Sequence, residues 1–81
     1  MNMFNNIKSF FSDKDYTVSI CQNKLYIFNY KLLPKFTSKE INIKFETMFL
    51  MIDGTNLKIT KMEEKELLIE GDIINLRFKY E

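Results

Sequence analysis

The sequence predicts an all-β domain of about seven short, mainly antiparallel strands in a small sandwich or roll, preceded by a short N-terminal amphipathic helix. From residue 16 onward, apolar and polar residues alternate with a period of two, as in half-buried strands. Turn signals separate these segments at the short intervals typical of sandwiches and barrels. No helical pattern lies between successive strands, so nothing supplies the crossovers of a parallel sheet.

The first 12 residues are predicted to form the helix. On a helical wheel drawn at about 100° per residue, one half of the helix is apolar. The apolar half consists of Met3, Phe4, Ile7, Phe10 and Phe11. So short a helix is marginal in water, so it needs a surface on its own sheet, on a sister subunit or at a membrane. Phe4, Ile7, Phe10 and Phe11 are the predicted docking side chains. The sequence therefore divides into an N-terminal arm, 1–15, and a single β domain, 16–81.

The strands follow in order along the β domain. Alternation predicts strands over 16–20, 25–28 and 40–45. Because Pro34 lacks a backbone N–H, its segment is predicted to lie in a loop or at a sheet edge. Four further strands are predicted over 48–52, 56–61, 66–70 and 73–80.

The last four strands contain a repeated unit. The unit occurs twice, once around Gly54 and once around Gly71. Each unit begins with an apolar residue, a carboxylate and the glycine, and it ends, after two further residues, with two apolar residues at alternating positions. Because glycine takes positive φ at little cost, both glycines are predicted to lie in turns between strands. The repeat also leaves open a short β-solenoid-like stack of two coils.

The inventory of side chains provides little for catalysis. The 81 residues include no His, one Cys and two Gly, which excludes a zinc cluster, a histidine base and a glycine-rich phosphate loop. Cys21 is interpreted as a small buried hydrophobe. Asp53, Glu70 and Asp72 belong to separate turns and do not supply the converging oxygens that a cation needs. We therefore expect no enzyme, cofactor or metal.

The composition is that of one small folded domain. It is 46% hydrophobic with a net charge of +1, which excludes a disordered segment. The lone cysteine rules out an intrachain disulfide, and no apolar run reaches the roughly 18 residues of a membrane-spanning helix. These features predict a cytoplasmic protein.

Two surface patterns could bind partners. Residues 24–44 carry five lysines and one glutamate, a net +4, whereas residues 63–72 carry a net −4; such opposed charges either neutralise each other within the fold or join subunits head to tail. Tyr26, Phe28 and Tyr30 share one strand face near lysines, an alternative site for single-stranded nucleic acid. The near-neutral total charge argues against nucleic acid.

Three motifs resemble the YabP/YqfC family of sporulation proteins, and its YqfC-like branch in particular. They are Ile-x-Asn-Tyr at Ile27–Tyr30, Gly-x-Asn-Leu-x-Ile at Gly54–Ile59 and Leu-x-Ile-x-Gly-x-Ile at Leu67–Ile73. The similarity covers residues 16 to 80. The chain departs from the family pattern at Cys21, where Gly is frequent, and in the segment 46–49, which lacks a turn glycine.

This resemblance implies a non-enzymatic protein with a structural, assembly or adaptor role in endospore formation. It would act in the mother cell at the forespore envelope, in the cytoplasm or peripheral to the forespore membrane. Its implied partners are further copies of itself and a membrane-anchored sporulation protein. The resemblance implies no catalytic residues.

Overall fold

The computed structural model describes residues 15–80, which form one antiparallel sheet of six strands in the order β1-β2-β6-β5-β4-β3. The strands are β1 Thr17–Cys21, β2 Lys24–Phe28, β3 Leu32–Phe36, β4 Glu40–Lys44, β5 Met48–Met62 and β6 Glu66–Tyr80. The predicted all-β class and antiparallel pairing are confirmed. The helix predicted over residues 1–12, with Phe4, Ile7, Phe10 and Phe11, lies outside the described residues.

The prediction of about seven short strands is wrong because the four C-terminal ones merge into two strands of 15 residues each. β5 and β6 pair from Met48↔Tyr80 to Met62↔Leu67, and the register shifts three times: between Asp53 and Gly54, between Thr55 and Lys58, and between Ile59 and Lys61. The repeated units therefore lie side by side on antiparallel neighbours, so they are not stacked coils of a solenoid.

Bends inside β5 and β6 give the sheet two halves that enclose the core. β2 pairs only with the first part of β6, as far as Glu70, whereas β4 pairs only with the first part of β5, as far as Asp53. The shortest dimension of the domain is 18 Å, which suits two packed layers about 10 Å apart. Buried side chains from both halves form one core cluster: Leu25, Ile27, Tyr30, Ile41, Ile43, Phe45, Met48, Leu50, Ile52, Leu57, Leu67 and Ile69.

Gly54 and Gly71 mark the bend rather than the predicted turns between strands. A Cβ atom on Gly54 would lie 2.2 Å from the carbonyl oxygen of Asp72 on the neighbouring strand. Gly71 has a φ of +143°, and its Cβ would lie 2.7 Å from the carbonyl oxygen of Asn56. Both glycines are therefore required by the close approach of β5 and β6 where the strands shift register.

Loops from both ends of the sheet hold the bend. The backbone N–H of Gly54 donates to the carbonyl of Lys39 (3.0 Å), next to β4, and that of Gly71 donates to the carbonyl of Asn23 (3.1 Å), in the β1–β2 turn. The segment containing Pro34 is the edge strand β3, one of the two positions predicted for it.

Candidate functional site

A shallow groove crosses the outer face of β3, β4, β5 and β6. It has a volume of 190 Å³, and the residues that line it are Pro34, Asn42, Phe49, Met51 and Lys79. This volume is below the roughly 300–1,000 Å³ of most small-molecule sites. We call it the basic groove, and its size fits an inserted side chain better than a cofactor.

Strand register explains the composition of the basic groove. Phe49 of β5 lies between Lys44 of β4 and Lys79 of β6, and residues opposite each other in an antiparallel pair project from the same face. The Nζ atom of Lys44 lies 4.4 Å from the centre of the Phe49 ring, a cation–π distance. In the next row, Met51 lies between Asn42 and Arg77. An apolar floor is thus flanked by cations.

Carboxylates lie at one end of this face. The side chain of Lys35 donates a 2.7 Å hydrogen bond to Glu40, and this bond holds the pKa of the Glu40 carboxyl below its usual value. Arg77 lies 3.3 Å from a carboxylate oxygen of Asp53. In the row of Leu32, Lys44, Phe49 and Lys79, the side chains that the strand register sets beside one another are apolar or cationic.

The β5–β6 hairpin carries the opposite charge at its tip. The tip, which we call the acidic tip, comprises residues 62–66 and contains Glu63, Glu64 and Glu66 against one lysine. Lys61 lies 3.9 Å from the Glu63 carboxylate and 3.8 Å from that of Glu66. Met62 is 59% exposed, so the tip presents an apolar side chain beside its carboxylates.

Hydrogen bonds fix the conformation of the acidic tip. The backbone N–H of Glu63 donates to the carbonyl of Glu66 at 2.8 Å, which closes the hairpin. The hydroxyl group of Tyr30, a core residue, donates to the carbonyl of Glu63 at 2.9 Å. The tip is therefore held against the core and is presented as a preformed shape.

A third surface is an incompletely covered part of the core, which we call the open flank: Leu76, Phe78 and Tyr80 of β6. Their opposite residues on β5 are Ile52, Leu50 and Met48, which are fully buried, so these β6 side chains face the core side. Phe78 is nevertheless 46% exposed and Tyr80 67% exposed. Within residues 15–80, no strand pairs with the outer edge of β6 beyond Glu70.

The chain enters the described domain beside the open flank. The Tyr16 ring lies 4.8 Å from that of Phe45. A hydrogen bond to the side chain of Tyr80, followed in importance by burial, raises the pKa of the Tyr16 hydroxyl. The residues that precede Tyr16, including the predicted docking side chains, are therefore connected to the domain next to this exposed apolar surface.

The three aromatic residues predicted as a nucleic-acid surface do not form one. Asn29 has a φ of +68°, which breaks the alternation, and Tyr30 lies in the core. Phe28 and Tyr30 are each only 8% exposed, so neither can stack on a base. Tyr26 is half-buried, and burial, followed by the nearby charge of Glu63, raises the pKa of its hydroxyl.

The prediction that Cys21 is buried is also wrong. Cys21 is the last residue of β1, an edge strand, and its side chain is exposed. It lines a 350 Å³ cavity with Ser19, Lys24, Tyr26, Lys61 and Leu68. The alternating pattern predicted the strand that Cys21 ends, but it could not reveal that β1 has no outer neighbour among the strands of residues 15–80.

The three carboxylates considered for a cation each face another group. Asp53 contacts Arg77 (3.3 Å), Glu70 lies 4.0 Å from Lys24, and Asp72 accepts a 3.4 Å hydrogen bond from Thr55. Across residues 15–80, no three metal-ligating side chains converge. The basic residues 24–44 and the acidic residues 63–72 approach each other at one ion pair, between Lys24 and Glu70.

The basic groove is not visible in the sequence. Residues 48–52 are a continuous apolar run, which is the pattern of a central strand, yet Met48, Leu50 and Ile52 are buried while Phe49 and Met51 are only half-buried. A uniformly apolar run contains no signal that distinguishes its two faces. The cations of the groove come from distant positions, and only the register brings them together.

Comparison with known proteins identifies one family. The sequence model of the YabP family matches residues 13–81. No curated protein and no solved structure matches the chain. Within the part of the chain that the structure describes, no helix has the length and apolar character needed to cross a membrane.

Proposed function

Because the chain belongs to the YabP family, a sporulation-related family, we propose that it is a non-enzymatic structural or assembly protein of endospore formation. It acts in the mother cell at the forespore envelope, by self-association, by docking on a membrane-anchored partner, or by both. The observation that carries this proposal is the family match, which covers almost the whole chain.

The surfaces of the domain support a role in protein–protein contact. The open flank exposes Phe78 and Tyr80 beside a strand edge that lacks a partner strand within residues 15–80. Exposed strand edges and apolar surface are where further protein adds to a sheet. A structural protein uses such surfaces directly, since assembly needs complementary shape and charge rather than a reactive group.

The N-terminal side chains Phe4, Ile7, Phe10 and Phe11 are the proposed anchor for the partner. They precede Tyr16, which contacts the domain beside the open flank. An amphipathic helix that brings aromatic side chains to a groove or to a membrane-bound partner is a common mode of recognition. Only Lys8 contributes a positive side chain among the first 12 residues, so a protein partner fits better than anionic lipid.

The first experiment tests whether the protein functions in sporulation. The gene is deleted in its sporulating host, and heat-resistant spores are counted with and without a complementing copy. We expect a clear loss of spores that the wild-type copy restores. Sporulation of the deletion strain at the wild-type level would refute the role.

The second experiment tests the anchor separately. A fluorescent fusion of the full chain is compared with Phe4→Ser/Phe11→Ser and with the matched control Asn5→Ser/Asn6→Ser, whose substitutions lie on the other half of the predicted helix. We expect only the Phe variant to lose its position at the forespore envelope. Unchanged localisation of the Phe variant would show that these side chains are not the anchor.

A further inference from the structure

We propose that copies of this chain join head to tail, with the acidic tip of one copy bound in the basic groove of the next. The inference rests on the proposed self-association and deepens it by assigning the two surfaces. It follows from the shape, charge and apolar character that the described residues give to each surface.

The basic groove and the acidic tip match in size. The basic groove holds 190 Å³ above a floor that includes Phe49 and Met51. Met62, 59% exposed at the acidic tip, is unbranched and can adapt to an irregular depression. Its thioether also interacts favourably with an aromatic ring, and Phe49 presents one. The groove therefore fits the one large apolar side chain that the tip exposes.

The two surfaces carry opposite charges. Lys44 and Lys79 are the cross-strand neighbours of Phe49 on its two sides, while Glu63 and Glu64 follow Met62 directly in the sequence. Inserting Met62 would bring these carboxylates to the cationic edges of the groove. Complementary charge of this kind sets the orientation and the rate of association more than its strength, and salt screens it.

Both surfaces are preorganised. The hydroxyl group of Tyr30 and the Glu63–Glu66 hydrogen bond hold the tip in shape, and the groove is built on paired strands. Little conformational freedom is lost when such surfaces meet. Because the two surfaces differ, the contact is heterologous, and repetition produces a ring or an open filament.

The experiment uses charge reversal and rescue in the full-length protein. The groove variant is Lys44→Glu/Lys79→Glu, the tip variant is Glu63→Lys/Glu64→Lys, and the control is Lys39→Glu/Lys58→Glu, which carries the same change in charge outside the groove. Masses in solution are measured by light scattering after size exclusion, at low and at physiological salt. Circular dichroism verifies that every variant is folded.

We expect the wild type and the control to form concentration-dependent oligomers that weaken with salt. Each reversed variant should associate at least about tenfold more weakly alone, because like charges then face each other. An equimolar mixture should recover assembly, since each groove again meets a tip of opposite charge. A loss caused only by misfolding would not be recovered by mixing.

Three outcomes overturn the inference. If both variants associate like the wild type, or if the mixture stays monomeric, the groove and tip are not the interface, although self-association stands. If the wild type is monomeric throughout, head-to-tail joining is refuted, while docking on a membrane-anchored partner is decided separately by the localisation experiment.

Discussion

Replacing Gly54 with alanine tests the bend that gives the sheet its two halves. Within a regular strand the exchange should stabilise the protein by about 0.5–1 kcal/mol, because glycine loses more backbone freedom on folding. The structure predicts the opposite sign. An added Cβ would lie 2.2 Å from the Asp72 carbonyl oxygen and 2.9 Å from Cδ2 of Leu57.

The magnitude follows from that geometry. A carbon atom normally approaches a carbonyl oxygen to about 3.3–3.6 Å, so the strands must separate by more than about 1 Å. The clash is with backbone that pairs across the sheet, Asp72 opposite Thr55, and it cannot be relieved by a rotamer change. Overpacking of this kind costs about 1–3 kcal/mol, which leaves a net destabilisation of about 1–2 kcal/mol once the backbone entropy is included.

The assay is thermal unfolding followed by circular dichroism. In a domain of this size, 1 kcal/mol shifts Tm by about 4–8 °C, so Gly54→Ala should unfold about 5–15 °C below the wild type. Thr55→Ala is the matched control, since it removes an exposed side chain at the next residue and should stay within about 0.5 kcal/mol. An unchanged or raised Tm for Gly54→Ala would refute the close approach of β5 and β6 at this position.

Three other predictions concern the core, the tip and the groove face. Leu50→Ala removes a fully buried side chain and should lower the free energy of unfolding, measured in urea, by about 2–5 kcal/mol. The control Ile74→Ala changes an exposed side chain and should have little effect. Equal effects of the two substitutions would contradict the assigned strand faces. Tyr30→Phe removes the 2.9 Å hydrogen bond to Glu63 and should cost about 1 kcal/mol, seen as a lower Tm; a wild-type Tm would show that this bond does not hold the tip. Lys35 lowers the pKa of the Glu40 carboxyl below its ordinary value of 4.5. The pair therefore stabilises the fold at pH values above 4.5, and this stabilisation is lost as the pH falls through the lowered pKa of Glu40. In Lys35→Ala, an NMR titration should find the Glu40 pKa closer to its ordinary value; an unmoved pKa would exclude the pair as its cause.

The sequence predicted strands well where alternation was strict. The segments 16–20, 25–28 and 40–45 correspond to β1, β2 and β4. In β2 and β4 the alternating positions Leu25, Ile27, Ile41 and Ile43 are fully buried, whereas the residues of β1 are half-buried or exposed. Pro34 was predicted to lie in a loop or at a sheet edge because it cannot donate a backbone hydrogen bond, and it lies in the edge strand β3. These are local properties, visible in a few consecutive residues.

Local pattern failed where distant residues determine the conformation. A carboxylate followed by glycine is a common turn signal, yet Gly54 and Gly71 lie within continuous strands because each meets backbone of the neighbouring strand. Likewise, Asn29 at positive φ directs Tyr30 into the core, so three aromatic residues at alternating positions do not share a face. Neither the close approach of backbone to the glycines nor the positive φ of Asn29 could be inferred from residue spacing alone.

By itself, the sequence determined the all-β class, the antiparallel character and the family, because composition, alternation and motif order are properties of the chain. The tertiary structure alone decided that four predicted strands are two, that Cys21 is exposed, and that Lys44, Phe49 and Lys79 form one row of a groove. The physical reason is that register and bending are set by contacts between residues far apart in the chain. The interaction surfaces of this protein are products of those contacts.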